Sequence, residues 1–473
     1  MKIFAVTFLS AIISSLNAQT IDQILYEGPP VFHGAKVVGN RPHTELIFTV
    51  PATGKRPITF TTINLPAGLN LEASTGIIRG TVNERGNYTI RVTAKNSIGE
   101  TSQNIQLVIG DKLCLTPPMG WNSWNVFTNT LDEKMVIEMA DAMVSTGMRD
   151  LGYQYINMDD YWHDTARAAD GKPQADPIKF PHGIKWLADY VHSKGLKLGI
   201  YSDAGTKTCG KCFGSYQYEE IDAKTYAEWG VDLLKYDFCF VPWKKKQAVE
   251  RYTKMGEALK NSSRSITYSV CNWGLFAPWK WAPKAGGNYW RTTPDIIDSW
   301  KTNPIWYGSV MSIMRRQNKV LKYQQQGHWN DPDMLIVGNY GNGKATGGKG
   351  KYKGLSDLEY QSHMALWAFT NAPLLSSCDL RKMNEPTKNI LMNAELLAIN
   401  QDSLAANAVL TLKKNGIWYY EKKLSNHKVA YLAVNVSSKP KTLTNLNADK
   451  NAAPKKDTTA TVLKPHQSVV FVR

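Results

Sequence analysis

Carboxylate and aromatic side chains follow one short apolar segment after another in the middle of this sequence. In the segment Leu234–Asp237, Lys235 and Asp237 are two residues apart. Alternate residues of a β-strand point to the same side, so this spacing predicts a lysine ammonium beside a carboxylate. The cation favours the ionised carboxylate, which is the form that attacks carbon as a nucleophile. A structural buried ion pair is the alternative interpretation of the same two residues.

A second carboxylate is needed for glycosidic hydrolysis, because one group attacks the anomeric carbon while another protonates the leaving oxygen. Asp295 follows the apolar segment that ends at Arg291 and is one candidate for this acid. Four other carboxylates also follow apolar segments: Asp159, Asp160, Asp331 and Asp333. The residues alone leave the choice among the five open. Their shared position at segment ends predicts an enzyme, since a structural fold has no need of charge there.

The order of the elements explains how these distant residues could meet. From about residue 113, short apolar segments alternate with helical ones such as Leu131–Met148 and Ala223–Trp229, which is typical of βα units. The candidate strands are Met119–Trp121, Ile156–Asp159, Leu198–Tyr201, Leu234–Asp237, Tyr268–Cys271, Trp290–Arg291, His328–Trp329 and Pro373–Leu375. Eight such units in residues 111–404 predict a (β/α)8 TIM barrel, whose active site forms at the C-terminal ends of the strands.

The flanking segments predict two further β domains. Residues 19–110 contain short alternating runs such as Glu45–Val50 and Tyr88–Thr93, broken by glycine and proline turns, and predict a β-sandwich. The run Leu65–Leu71, with the glycines that follow it, resembles the immunoglobulin-like modules appended to bacterial glycosidases. We expect this module to space or dock the enzyme. Alternation returns in residues 405–473, which predicts an antiparallel β domain.

The N-terminus and the composition bear on the compartment and the partners. Lys2, the apolar run Ile3–Ile13 and the small residue before Gln19 predict a signal peptide over residues 1–18, and hence an exported protein, periplasmic or extracellular. The many aromatic residues beside glycines and carboxylates suit a sugar, so we expect a carbohydrate partner. The net charge of +16 is carried by scattered lysines outside any recognisable nucleic-acid module, and we expect neither nucleic acid nor a membrane span. The oligomeric state is left open.

Six cysteines are compatible with disulfides in an exported chain. Cys209 and Cys212 have the spacing of a redox motif or of half a zinc site. No second pair or histidine cluster accompanies them in the sequence, so we expect no metal site. Hydrolysis by two carboxylates also needs no organic cofactor.

Residues 113–405 resemble glycoside hydrolase family 27, the α-galactosidases and their relatives. The matching motifs occur in one order: Pro118–Trp124, Met158–Asp160, Gly199–Gly205, Thr208-Cys209, Leu234–Asp237 with Cys239, Trp329–Met334 and Ala398–Asp402. The resemblance implies a retaining exo-glycosidase that removes terminal non-reducing α-D-galactosyl residues by double displacement.

The resemblance also implies roles for individual residues, with Asp237 as the nucleophile and Asp295 as the acid/base. Asp159 and Asp160 would hold the 4- and 6-hydroxyls, and a carboxylate acceptor there rejects isomers that leave it unpaired. A disulfide between Cys209 and Cys239 is implied beside the nucleophile, with pairing to Cys212 as the alternative. The full set of implied substrate contacts is Trp121, Asp159, Asp160, Tyr201, Lys235, Cys271, Trp273, Arg291, Asp333 and Met334.

One segment departs from the family's pattern. Asn272 stands where several members have glutamate, at a position that bears on the group at C2 of the sugar. Bulky Leu275 favours a hydroxyl there, and Asp159 is the galactose-type residue. The alternatives are an α-N-acetylgalactosaminidase, a β-L-arabinopyranosidase, or an inactive sugar-binding protein, which the two carboxylates argue against. The Gly- and Lys-rich loop 338–354 is expected to be a tolerated insertion, or else to contact the leaving group or an anionic glycan.

Overall fold

The computed structural model describes residues 26–302, 307–346, 351–443 and 461–473, and the predicted signal peptide lies outside them. The N-terminal region consists of strands β1 (Val31–Phe32), β2 (Val37–Asn40), β3 (Glu45–Thr49), β4 (Ala52–Thr53), β5 (Thr59–Ile63), β6 (Leu69–Leu71), β7 (Ile77–Thr81), β8 (Gly86–Lys95) and β9 (Glu100–Ile109). Its two main sheets have the orders β2-β9-β8-β5 and β3-β7-β6.

A separate hydrophobic core holds these two sheets together. In β8 and β9 alternate residues are buried, and Ile90, Val92 and Leu107 pack in one cluster with Phe48 of β3. This alternation is what a sheet with one solvated face requires. The predicted strand-rich, immunoglobulin-like region is confirmed.

The central region alternates strands with helices. Its strands are β10 (Met119–Asn122), β11 (Tyr155–Asn157), β12 (Lys197–Asp203), β13 (Leu233–Asp237), β14 (Thr267–Val270), β15 (Tyr289–Arg291), β16 (Asp295–Ile296), β17 (Tyr307–Gly308), β18 (Trp329–Asp331) and β19 (Leu374–Ser376). Its helices are α1 (Trp124–Phe127), α2 (Glu133–Ser145), α3 (Gly183–Ser193), α4 (Glu219–Glu228), α5 (Lys245–Asn261), α6 (Val310–Gln317), α7 (Asp357–Phe369), α8 (Glu385–Leu391) and α9 (Ala394–Asn400). None of the helices in the described ranges has the length and apolar character needed to cross a bilayer.

Eight of these strands form one parallel sheet in the order β18-β15-β14-β13-β12-β11-β10-β19. Just beyond β18, Leu335 forms a parallel bridge with Ser376, and its amide donates to the Leu375 carbonyl (N···O 2.8 Å). This contact joins the two end strands of the curled sheet. The predicted TIM barrel is confirmed, and each predicted strand segment overlaps one of the eight strands. The C-terminal ends of the strands therefore form one rim.

Helix α2 shows how the sequence sets such an element. The Asp132 side chain caps it by accepting from the Met135 amide (2.7 Å). The helix ends at Ser145, three residues before the predicted end, because Gly147 adopts a left-handed conformation (φ 84°) that a helix cannot continue through. Residues spaced three or four apart form its buried stripe: Val136, Met139, Ala140 and Met143.

The C-terminal region contains β20 (Val409–Lys414), β21 (Ile417–Lys423), β22 (Val429–Asn435), β23 (Lys441–Thr442), β24 (Val462–Leu463) and β25 (Ser468–Val472). Strands β20-β21-β22-β25 pair in that order, and all three pairs are antiparallel as predicted. Trp418 and Tyr420 of β21 belong to the core cluster of the barrel. This region is thus packed onto the barrel through its apolar face.

The N-terminal region packs against the barrel at the end opposite the C-terminal rim. Arg264, just before β14, lies 2.6 Å from Asp232, just before β13, and 2.9 Å from Glu45 of β3. The Thr49 hydroxyl donates to the Gly195 carbonyl (2.6 Å), two residues before β12. These contacts leave the C-terminal rim uncovered by the immunoglobulin-like region.

Candidate active site

Strand β13 presents the predicted nucleophile as its last residue. Asp237 is buried, and its Oδ2 accepts from the Tyr201 hydroxyl of β12 (3.1 Å). Its Oδ1 accepts from the Phe238 amide (2.9 Å). Two donors, one on β12 and one directly after β13, therefore fix the orientation of this carboxylate.

Lys235 lies on the same strand, but the carboxylate it contacts is Asp159, two residues after β11, with Nζ 2.7 Å from Oδ2. Burial lowers the pKa of Lys235, but the charge of Asp159 and of other nearby groups outweighs it, so the pKa is raised overall. The lysine acts on Asp237 through its field. Burial raises the pKa of Asp237, the Lys235 ammonium opposes this, and the Asp295 carboxylate adds to it, with a net upward shift.

Two consecutive buried carboxylates follow β11. Asp159 also accepts from the Asn122 side-chain amide (2.9 Å), which the sequence analysis did not single out. Asp160 accepts from the Tyr161 amide (2.8 Å) through Oδ1 and from the Gly210 amide (2.6 Å) through Oδ2. Burial raises the pKa of Asp160 to about 6. Both carboxylates are held by donors of the chain itself, so a sugar hydroxyl would meet fixed acceptors.

Arg291, the last residue of β15, joins two further carboxylates of the rim. Its Nη2 lies 2.9 Å from Asp295 Oδ1 and 3.0 Å from Asp333 Oδ2. The Asp295 side chain is 44% exposed, whereas that of Asp333 is 4% exposed. Burial raises the pKa of Asp333 to about 7, and the guanidinium opposes this shift. Of the two, Asp295 is open to a leaving group and to water.

The other predicted contacts occupy the same rim. Trp121 is fully buried, and its indole nitrogen donates to the Cys378 carbonyl (2.8 Å), which fixes the ring at the end of β10. The thiol of Cys271 lies 3.7 Å from an Arg291 nitrogen. Met334 follows β18 and is buried.

The loop after β14 has an unusual backbone and an unpaired acceptor. Trp273 and Phe276 have left-handed φ values of 55° and 59°, which cost about 1–3 kcal/mol each in residues other than glycine. Trp273 packs edge-on against Phe238, the residue after Asp237, at 5.9 Å between ring centroids. The Asn272 side-chain amide donates to the Leu275 carbonyl, and its Oδ1 is buried without a hydrogen-bond partner among the described residues.

Asp203 is a residue of this site that sequence reasoning missed. It is fully buried at the end of β12, in register with Asp237 on β13, and accepts from the Cys239 amide (2.8 Å). Burial raises the pKa of Asp203, and the charge of Asp237 raises it further. The signal was present, because Asp203 is two residues after Tyr201 on one strand and so faces the same side.

Cys209 forms a disulfide with Cys239, at a Cα–Cα distance of 5.2 Å, which confirms the pairing implied by the resemblance. The bond ties the loop after β12 to the residue two positions beyond Asp237. Cys212 is a free thiol and is half-buried. The Cys209 sulfur is therefore not available as the half of a zinc site that the spacing suggested.

Part of loop 338–354 lies outside the described residues, and the rest is anchored at its base. The amides of Gly341 and Leu355 donate to the buried Asp298 carboxylate at 2.7 and 3.0 Å. Lys344 Nζ contacts the Thr130 hydroxyl (3.3 Å), just beyond α1 at the rim. A contact between this loop and the leaving group stays a prediction.

Comparison with known proteins agrees with this geometry. A family model described as alpha galactosidase A matches residues 116–402, and an Ig domain model matches residues 29–110. An alpha-galactosidase of Oryza sativa subsp. japonica is 46% identical over 330 residues, which are 70% of this chain and 74% of the relative.

Solved structures extend the likeness beyond the barrel. A crystal structure from Bacteroides fragilis, of a protein provisionally assigned as an alpha-galactosidase, is 42% identical with a TM-score of 0.89, and the match covers 94% of this chain and 98% of that one. Alpha-galactosidase I of Mortierella vinacea is 33% identical with a TM-score of 0.68, and the match covers 76% of this chain and 97% of that one. The larger coverage of the first match includes the flanking β regions.

Proposed function

The chain belongs to the alpha-galactosidase family, and from that premise we propose that Asp237 and Asp295 carry out the two chemical steps of its reaction. It is a retaining glycoside hydrolase that releases terminal non-reducing α-D-galactosyl residues. Retention requires two displacements at one carbon, hence one carboxylate that attacks and one that transfers protons.

In the first step Asp237 attacks the anomeric carbon while Asp295 gives its proton to the departing glycosidic oxygen. The carbon–oxygen bond to the leaving group breaks, and a covalent galactosyl-enzyme forms with inverted configuration. In the second step Asp295 takes a proton from water, the oxygen of that water attacks the same carbon, and the Asp237 carboxylate departs. The second inversion restores the α-configuration.

The choice of Asp295 rests on one observation, its exposure. The four competing carboxylates of the rim are buried, whereas the Asp295 side chain is 44% exposed. An acid that serves the leaving group and then activates water must reach both. The contact with the Arg291 guanidinium positions Asp295 over the site without burying it.

The same geometry supports a galactose pocket at the base of the site. Asp159 and Asp160 offer fixed acceptors for the 4- and 6-hydroxyls, and Lys235 and Trp121 close the pocket beside them. We expect the unpaired Oδ1 of Asn272 to accept from a 2-hydroxyl, at the position where several family members have glutamate.

We also propose that the chain is exported and acts in the periplasm or outside the cell. The signal-like residues 1–18 support this. The Cys209–Cys239 disulfide fits the same proposal, because such bonds persist in oxidising compartments.

The test is a set of initial rates on p-nitrophenyl α-D-galactopyranoside for the wild type and Asp237→Ala. We expect the substitution to lower kcat by about 10⁴-fold or more, as loss of a catalytic nucleophile does. Added azide should restore turnover to Asp237→Ala by attacking the open face of the sugar, and the product should be the β-galactosyl azide.

Initial rates on the corresponding α-N-acetylgalactosaminide and β-L-arabinopyranoside distinguish the alternative substrates, which differ from the galactoside at C2 and at C5. A folded wild type that is inactive on the galactoside, but active on the α-N-acetylgalactosaminide or the β-L-arabinopyranoside, would contradict the proposed pocket. Asp331→Ala is the matched control for the nucleophile, since it removes a buried rim carboxylate that has no assigned chemical step. Azide should not increase its rate.

A further inference from the structure

We propose that Asp160, His163 and Cys212 form a binding site for one zinc-type divalent cation beside the sugar pocket, and that the bound cation blocks the pocket. The candidate donors are a carboxylate oxygen, an imidazole nitrogen and a thiol sulfur, and they all lie within 4.8 Å of one another. Asp160 Oδ1 and His163 Nδ1 are 3.8 Å apart. Donors at zinc lie about 3.3–3.7 Å from one another, given metal–ligand bonds of about 2.0–2.3 Å. Side-chain adjustments of about an ångström would therefore complete the site.

The surroundings of His163 indicate that this cluster binds a ligand. Its side chain is 0% exposed, and neither ring nitrogen has a hydrogen-bond partner among the described residues. The ring is held by stacking on Trp162 (4.0 Å between centroids) and by the edge of Phe213 (4.8 Å). Buried polar atoms are paired in the great majority of cases, so an unpaired imidazole beside a carboxylate and a thiol calls for a partner. Imidazole is the commonest metal ligand in proteins.

A short turn presents Cys212 to the other two donors. The Thr208 amide donates to the Cys212 carbonyl (2.9 Å), and the Cys212 amide donates to the Thr208 hydroxyl (3.0 Å). Gly210 in the same turn donates to Asp160 Oδ2 (2.6 Å), which fixes the turn to the carboxylate. Because Cys212 is half-buried while its two partners are buried, it marks the side from which a cation would enter.

The donor set selects the class of cation. One oxygen, one nitrogen and one sulfur suit zinc and similar first-row ions, whereas magnesium and calcium prefer oxygen ligands. On binding, the Cys212 thiol releases its proton to solvent and the sulfur coordinates as thiolate. Three protein ligands leave a fourth position for water.

The consequence for activity follows from Asp160 and rests on its proposed role in sugar binding. A carboxylate oxygen engaged by a cation no longer accepts from a sugar hydroxyl. Metal and galactoside then compete for one residue, so the cation raises KM and leaves kcat at saturating substrate unchanged.

The direct test is titration of the full-length protein with Co²⁺ alone, because cobalt bound to thiolate absorbs in the near ultraviolet. The variants are Cys212→Ser and, as a matched thiol control, Cys114→Ser, whose sulfur lies at the other end of the barrel. We expect one equivalent of cobalt and a thiolate band in the wild type and in Cys114→Ser, and loss of the band in Cys212→Ser. Zn²⁺ should displace the cobalt. An equal band in Cys212→Ser would overturn the site.

Circular dichroism and the metal-free rate establish that Cys212→Ser is folded, since Cys212 has no part in the proposed reaction. In the rate assay we expect Zn²⁺ to raise KM in the wild type, with at least a tenfold higher inhibitory concentration in Cys212→Ser. Cobalt binding with an unchanged KM would overturn the blocking and, with it, the role proposed for Asp160. Absence of the band in the wild type would overturn the metal site and leave the proposed function untouched.

Discussion

A buried carboxylate lies at each end of strand β13, and the surroundings of the two shift their pKa values in opposite directions. Asp232, before the strand, lies 2.7 Å from His192 and 2.6 Å from Arg264 and accepts from the Leu198 amide (2.8 Å). Burial alone would raise the pKa of Asp232, but His192 and Arg264 outweigh it and hold the pKa well below its usual range. Asp237, the last residue of the strand, accepts from a hydroxyl and an amide, and its pKa is raised.

These opposite surroundings indicate a stabilising role for Asp232 and a functional role for Asp237, only five residues further along the chain. At the N-terminal end the charge is paired and also fastens the immunoglobulin-like region through the contact of Arg264 with Glu45. At the C-terminal end Lys235, whose charge acts on Asp237, pairs with Asp159 instead, and Asp237 has no ion pair among the described residues. In TIM barrels the C-terminal rim carries the chemistry and the opposite rim the stability. Substitutions at the two ends should therefore have separable effects.

The largest further effect is expected for Asp295→Ala, which removes the proposed proton-transfer group. On a galactoside with an alkyl or sugar leaving group the rate should fall by about 10²–10⁴-fold. On a nitrophenyl galactoside the first step should be much less affected, because nitrophenolate departs without a proton. Rates on both substrates check this, and equal losses on both would contradict the assignment of Asp295 as the acid.

At the other end, Asp232→Ala should destabilise the protein by roughly 3–5 kcal/mol, because it removes the buried carboxylate that pairs with both His192 and Arg264 and leaves Arg264 with the more exposed Glu45 as its counter-charge. Thermal unfolding measures the loss, and kcat per folded molecule should be unchanged. The exposed pair of Arg85 with Asp111 is the control, and Asp111→Ala should leave the melting temperature nearly unaltered. A large drop in kcat for Asp232→Ala at temperatures where it is folded would contradict the separation of stability and function between the two ends of β13.

The depressed pKa of Asp232 also predicts how stability depends on pH. The pKa of an aspartate is about 3.9 in the unfolded chain, and that of Asp232 is lower in the fold. The contribution of Asp232 to stability is therefore fully present above about pH 4. That contribution is lost as the pH falls toward the folded-state pKa. We expect the wild-type melting temperature to fall more steeply than that of Asp232→Ala below about pH 4. Parallel curves would contradict the pairing at this end.

The smallest effect is expected for Tyr201→Phe, which removes one of the two donors to Asp237. A hydrogen bond to a charged group contributes about 1.5–3 kcal/mol, so kcat/KM should fall by about 10- to 150-fold. Loss of the donor also destabilises the ionised carboxylate, so the acidic limb of the kcat/KM profile should move to higher pH. An unmoved acidic limb would show that the limb reports a group other than Asp237.

The barrel and most of its rim could be predicted from sequence, because apolar strand segments ending in polar residues have a strict spacing. The alternation also placed Lys235 and Asp237 on one side of β13. It could not show that Lys235 pairs with Asp159, since that contact joins residues on two strands whose register is set only in the fold. Asp203 was missed, although its position two residues after Tyr201 predicts that both side chains face the same side of the strand.

Other features could not be read from sequence because they arise in the loops. The exposure of Asp295 depends on how the segment after β15 turns outward, and five carboxylates had equal claims before the fold was known. The cluster of His163 with Cys212 joins segments almost fifty residues apart and replaces the metal half-site suggested by the Cys209–Cys212 spacing. In both cases the deciding contacts lie between loops and follow no periodic pattern.

The most direct test of the central claim is to trap the covalent intermediate. A 2,2-difluoro α-galactoside with a good leaving group should inactivate the enzyme, because the fluorines slow release from the nucleophile. Peptide mapping by mass spectrometry should then find one difluorogalactosyl group, on the peptide that contains Asp237 and on that residue. A label on Asp295 or on any other carboxylate would contradict the account, and the contrast between the two ends of β13 would lose its chemical meaning.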